Sequence, residues 1–172
     1  MIRRAILTLA ACLAGTPILT GATPQPLKAL FLGDHGHHRP AERAAQLIPV
    51  LAGRGIDVTY TDKIADLNPE TLGKYDALIV YANLDTISPD QERALIDYVD
   101  QGGGFVPIHC ASACFNHSDA YIALVGGRFA SHGVGEFDTK VVAPDHPIMK
   151  GLEPFHTWDE TYIHDRHNEN GR

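Results

Sequence analysis

The sequence predicts a single α/β domain built on a mainly parallel sheet, and three observations carry that prediction. Short apolar runs recur at intervals of nearly thirty residues, helix-like segments with start and stop signals lie between them, and the runs end in polar clusters. The 172 residues hold one domain, not a multidomain machine, and 44% apolar with 20% charged residues is ordinary for a soluble globular chain.

Lys28–Gly33 (KALFLG) is the first strand, closed by glycine. Pro40–Arg54 follows as a helix with Ala44, Leu47, Ile48 and Leu51 on one face and Gly53 and Gly55 at its end; Pro49 is expected to kink or shorten it. Ile56–Thr61 and Ala77–Ala82 are the second and third strands. Ser88-Pro89-Asp90-Gln91 opens a helix with a capping serine, proline at the first helical position and glutamine at the capping-box position. Its stripe Leu95, Ile96, Val99 faces a core, and Gly102–Gly104 stops it. Phe105–Ile108 is the fourth strand. After Asn116 the chain predicts a short helix over Ser118–Val125, a turn at Gly126-Gly127-Arg128-Phe129, and a strand near Asp138–Ala143.

In open α/β sheets ligands sit outside the carboxyl ends of the strands, near the switch point. Three clusters fall there: Gly33-Asp34-His35-Gly36-His37-His38-Arg39, Ala82-Asn83-Leu84-Asp85, and His109-Cys110-Ala111-Ser112. They predict one crevice with His37, His38, Arg39, Asn83, Asp85, His109 and Cys110 as candidates. Ten histidines against 14 lysines and arginines strengthen that lead, because imidazole titrates near neutrality and ligates metals.

The charge balance removes other classes. With 14 basic and 21 acidic residues the net charge is −7, and no block of like charge occurs, so the footprint of a nucleic-acid binder is missing. Three cysteines are too few for a disulfide scaffold. Arg3 and Arg4, the uncharged stretch Ala5–Thr20 and the small residues Thr20-Gly21-Ala22 read as a signal peptide over residues 1–22, with the mature chain starting near Thr23 in the periplasm or outside the cell. Leu9-Ala10-Ala11-Cys12 offers an alternative lipoprotein cleavage box. No later stretch approaches the roughly 18 apolar residues of a membrane span.

The run Gly102-Gly103-Gly104-Phe105-Val106-Pro107-Ile108-His109 resembles the ThuA family, named for trehalose utilisation. The supporting pieces are the His-rich loop through Arg39, Leu72–Tyr81, Gly126-Gly127-Arg128-Phe129 followed by His132, Asp145-His146-Pro147-Ile148, and Asp159-Glu160-Thr161-Tyr162. The resemblance implies the three-layer, doubly wound, flavodoxin-like fold of the class I glutamine amidotransferases over residues 27–172. It also implies a role in carbohydrate metabolism, on an oxidised (keto) sugar or a glycoside. Family members usually continue past Asp159–Tyr162, so the domain is read as partial, with an unpaired sheet edge expected.

Amidotransferases of this fold place a nucleophilic cysteine on the tight turn where this chain has His109. The acyl-enzyme route is therefore lost, and the chain is not expected to be a functional glutamine amidotransferase. Cys110 and Cys114, four apart on a helix, would have Cβ atoms about 5–6 Å apart, too far for a disulfide unless the turn is irregular. His109, His132 and Glu160 are the catalytic candidates. His37, His38, Arg39, Asn83, Asp85, Cys110, Asp159 and Tyr162 are the candidates for binding a small saccharide, with Tyr162 and Trp158 as stacking faces. One reading makes His109, His132 and His38 ligands of a divalent ion such as zinc; the other uses His109 as a metal-free acid or base. Against these stand plainer readings: Cys110 as a small buried hydrophobe pointing away from the site, His35, His37 and His38 as solvated loop residues, Asn83 and Asp85 as closers of the third-strand turn, Asp159-Glu160 as an exposed acidic turn and His146 as a turn residue. Two rival functions remain open: a hydrolase or amidotransferase using Cys110 or Cys114, and a non-catalytic carbohydrate-binding or scaffold domain. The oligomeric state is left open.

Overall fold

The structure, a computed structural model, describes residues 25–168. The signal-peptide reading, Cys12 included, lies outside the described residues. Strands β1 (Leu27–Leu32), β2 (Ile56–Thr61), β3 (Ala77–Val80) and β4 (Gly104–Pro107) form one parallel sheet in the order β2-β1-β3-β4. Helices α1 (Pro40–Ala52), α2 (Pro69–Leu72) and α3 (Pro89–Asp100) connect them, and α4 (Asp119–Val125) follows β4. This is the expected α/β fold with helices on both faces of a parallel sheet.

The period-2 alternation of the strands divides the core. Leu30, Leu32, Leu78 and Val80 face Leu72, Leu95 and Tyr121 of α2, α3 and α4. Ala29, Phe31 and Ile79 point the other way, onto Ala44 and Ile48 of α1. The first side is almost fully buried; on the second, Val106 of β4 and Leu47 and Val50 of α1 remain partly in solvent. The α1 helix continues past Pro49 to Ala52, so the expected kink does not end it. The capping box at Ser88 and Gln91 is present, and Gly102, at φ 98°, takes the left-handed turn that releases the chain toward β4.

The last quarter departs from expectation. Residues Arg128–Asp138 form one long strand, β5, paired antiparallel with β6 (His156–Asp165) in a separate two-stranded arm. The strand expected near 138–143 instead ends at Asp138, and Gly126, at φ 97°, closes α4, so only the first residues of Gly126–Phe129 turn. Asp159-Glu160, with its plainer reading as an acidic turn, lies inside β6. His146 does sit in a turn, its Nδ1 accepting the Ile148 N–H. No helix among the described residues is long and apolar enough to cross a membrane.

Candidate functional site

The site begins where β1 and β3 end. Connections leave these neighbouring strands toward opposite sides of the sheet, which opens a crevice. Asp34, buried just after β1, spans it: one carboxylate oxygen accepts the Gly36 N–H at 2.7 Å, the other the Asn83 N–H after β3. Gly33 is required beside it, because a Cβ there would lie 2.6–2.7 Å from the Tyr60 ring and Pro40.

After β4, Ile108 N–H still bonds to Val80 carbonyl, then His109 turns to φ 49° at the head of a 3₁₀ turn over His109–Ala113. A positive φ is uncommon for a side chain other than glycine, though histidine is among the residues that adopt it. Here the turn is held from below by fully buried Ala111 and by Cys114, whose thiol donates to the Ala82 carbonyl at 2.9 Å. The imidazole is therefore thrown outward, into the crevice.

The arm supplies the opposite wall. A bulge between Phe129 and Ser131 shifts the β5 register by one residue, so Phe129 and His132, three apart, share the face of Tyr162 and His164. Tyr162 lies directly across from His132, and Glu160 is two residues along on that face. The Tyr162 hydroxyl is 3.1 Å from His109 Nε2, the rings 4.5 Å apart at 31°. Glu160 reaches both imidazoles, at 3.6 Å from His109 Nε2 and 3.9 Å from His132 Nδ1. His38 closes the group from the first loop, its ring edge-on to His109 at 4.7 Å.

Burial, followed by the negative charge of Glu160, pushes the Tyr162 phenol far above its ordinary value, so it keeps its proton and acts as a donor. His38 is shifted the other way: burial first, then its neighbours His37 and His109, lower its pKa and keep it neutral at pH 7.

His109 stands between two cavities. One, about 520 Å³, is lined by Arg43, Gln46, Tyr81 and Asp159 over an apolar floor of Phe31 and Ile108. The other, about 360 Å³, is lined by Ser112, Glu160, Tyr162 and His164. Both fall in the size range of small-molecule sites. The split follows from strand period, since Asp159 and Glu160 point to opposite sides of β6.

The structure thus brings His38, His109, His132, Glu160, Asp159 and Tyr162 together. It does not bring in the rest. His37 lies against His38, the ring centroids 4.0 Å apart and tilted by 40°, and is exposed. Arg39 turns away at φ 56° and pairs with Glu42 at 2.7 Å. Asn83 offers its backbone to Asp34, and neither it nor Asp85 lines either of these two cavities. Trp158 is exposed and lines neither cavity, so it is no stacking face there.

Cys110 corrects the expectation of a binding role: it is 1% exposed and lines neither cavity. Burial, followed by the neighbouring Cys114, pushes its thiol up to about 12, and burial pushes Cys114 likewise to about 12. Both are free thiols with almost no thiolate at neutral pH, which removes the chemistry a cysteine nucleophile needs.

For the metal reading of His109, His132 and His38, no group of three His, Cys, Asp or Glu side chains among the described residues is placed to hold a metal ion.

Arg43, Gln46, Tyr81 and His164 are not among the site residues read from the sequence, and Ser112 enters there only as part of the cluster after the fourth strand. His164 had a usable signal, the period-2 series Glu160, Tyr162, His164; Arg43 and Gln46 sit on a helix whose polar face looks like any solvated one.

The profile of the ThuA family, described as trehalose utilisation, matches residues 28–171. A ThuA-like protein from Bacteroides uniformis, solved by crystallography, is 20% identical with a TM-score of 0.71, over 92% of this chain and 69% of that one. Another from Parabacteroides merdae is 18% identical with a TM-score of 0.68, over 80% of this chain and 62% of that one. At such identities the likeness speaks for the fold alone. No curated protein matches the chain.

Proposed function

Because this chain belongs to the ThuA family, and so to carbohydrate metabolism in general terms, we propose that it moves a proton next to the carbonyl of an oxidised saccharide. The observation that carries this reading is the convergence of His109 Nε2 with the Tyr162 hydroxyl and the Glu160 carboxylate where the two cavities meet.

His109 Nε2 takes the proton from the carbon beside the carbonyl, and the C–H electron pair moves into the forming C=C bond as the carbonyl oxygen gains charge. Tyr162, held protonated, donates a hydrogen bond to that oxygen, releasing the bond it makes to His109 in the free protein. Glu160 stabilises the imidazolium so formed. Return of the proton to the same carbon gives exchange. Return to the former carbonyl carbon gives isomerisation, as the original carbonyl oxygen takes up a proton and the hydroxyl on the first carbon gives one up to become the new carbonyl.

The test is deuterium uptake from D2O at the carbon next to the carbonyl of a keto-glucoside, followed by NMR. Uptake above the buffer rate that disappears in His109→Ala supports the reading. Binding of the sugar with no uptake identifies a carbohydrate-binding domain instead, and neither binding nor uptake overturns the proposal outright. The export reading of residues 1–22 rests on sequence alone, and N-terminal sequencing of secreted protein tests it: an intact Met1 overturns it.

A further inference from the structure

The larger cavity contains a cation that the proton-transfer reading does not use. Arg39, Arg93, Arg128 and Arg166 are each paired with a carboxylate within 4 Å, at Glu42, Asp90, Asp165 and Asp119. Arg43 has no such partner among the described residues. Its side chain reaches only Gln46 Oε1, at 3.4 Å, and the Tyr81 hydroxyl, and these two residues line the same cavity as His109. A guanidinium has five N–H donors and no acceptor, so most of its hydrogen-bonding capacity is unspent here.

We propose that Arg43 binds a carboxylate carried by the saccharide itself, so that the substrate class is an acidic sugar such as a uronate, held with its reacting carbon toward His109. The inference rests on the saccharide reading above and specifies it. Three features favour a carboxylate over other anions. The planar fork of arginine matches a carboxylate in two parallel hydrogen bonds. Gln46 and the Tyr81 hydroxyl add neutral partners for the remaining oxygen lone pairs. Asp159 lines the same cavity and the chain carries a net charge of −7, which penalises a dianionic phosphate more than a monoanion. The apolar floor of Phe31 and Ile108 suits the carbon face of a pyranose ring.

Calorimetric titration of the full chain with glucuronate, glucose and glucose 6-phosphate, repeated for Arg43→Gln and Arg43→Lys, tests this. We expect glucuronate to bind about tenfold tighter than glucose, as charge-assisted bonds at a partly exposed site allow. The preference should shrink to about twofold in Arg43→Gln and be partly kept in Arg43→Lys. Arg43 is exposed on α1, and a melting curve for each variant checks that it folds. Equal binding of glucuronate and glucose, a preference unchanged in Arg43→Gln, or a preference for glucose 6-phosphate overturns the inference while leaving the saccharide reading intact. Binding of none of the three overturns both.

Discussion

The parallel sheet and the β5–β6 arm meet the same solvent with different resources. The sheet buries both faces of β1 and β3, with Leu32, Leu78 and Val80 wholly out of water. The arm has two strands and leaves Val134, Trp158 and Ile163 exposed; a two-stranded ribbon is marginal on its own. It is held to the body by side-chain contacts, Tyr162 on His109, His164 Nε2 at 3.0 Å from Ser112 Oγ, Arg166 on Asp119 and the Asn168 amide donating to the Ala123 carbonyl, and by the Asn168 backbone N–H donating to the Gly126 carbonyl. The candidate site lies on that seam. The rigid half fixes His109 and His38, while the thinly held half brings Glu160, Tyr162 and His132. Activity and global stability should therefore respond to different mutations.

The largest separation is expected from a core cut. Leu78→Ala removes a wholly buried side chain of the central strand and should cost about 2–5 kcal/mol of unfolding free energy, read by denaturant titration. A loss confined to the arm would erase the contrast. His109→Ala should do the reverse, lowering proton exchange by about 10²- to 10⁴-fold with little change in the melt. At the same position His109→Gly should be more stable than His109→Ala by about 1 kcal/mol, because glycine adopts φ 49° without strain; equal stability would mean that the turn imposes no cost.

A smaller effect follows from His38. Its folded pKa lies below the ordinary 6.5 because burial, then His37 and His109, oppose its charge, with Glu160 and Asp34 pulling the other way. The unfolded chain therefore takes up a proton that the folded chain refuses. Its stabilising contribution is full above pH 6.5 and is lost as pH falls through the lowered folded value. His38→Gln should flatten that part of the stability–pH curve, and an unchanged slope would assign the acid loss elsewhere. The smallest effect is expected from Asp165→Asn, which breaks the two-bond pairing with Arg128 at the root of the arm. Hydrogen exchange should quicken in β5 and β6 alone; quickening in β1 or β3 would show the two halves unfolding as one.

The readable part of the molecule is the part governed by local rules. Ser88-Pro89-Asp90-Gln91 announces α3, the apolar runs announce β1 to β4, and the polar clusters beyond them announce the crevice. The arm was harder to read. Its long strands carry glycines and charges with one exposed face, which weakens the alternation signal, and the bulge that gathers Phe129, His132 and Tyr162 leaves no mark in composition. Cys110 carried two readings, a binding residue beside His109 and a small buried hydrophobe, and the structure takes the second: on the tight turn the side chain after His109 points into buried surroundings.

From composition and periodicity came the class of fold and the end of the sheet where chemistry gathers, since short-range sterics and hydrophobic burial act on neighbours in the chain; His109 as its centre was implied by the resemblance to the ThuA family. Only the tertiary structure decided which side chains face one another. The distances from His109 to Tyr162 and Glu160, the burial that keeps Tyr162 protonated and the thiols inert, and the absence of a carboxylate partner for Arg43 all depend on groups far apart in sequence. Electrostatics and hydrogen bonding are set by such through-space neighbours, whose positions depend on the packing of the whole chain.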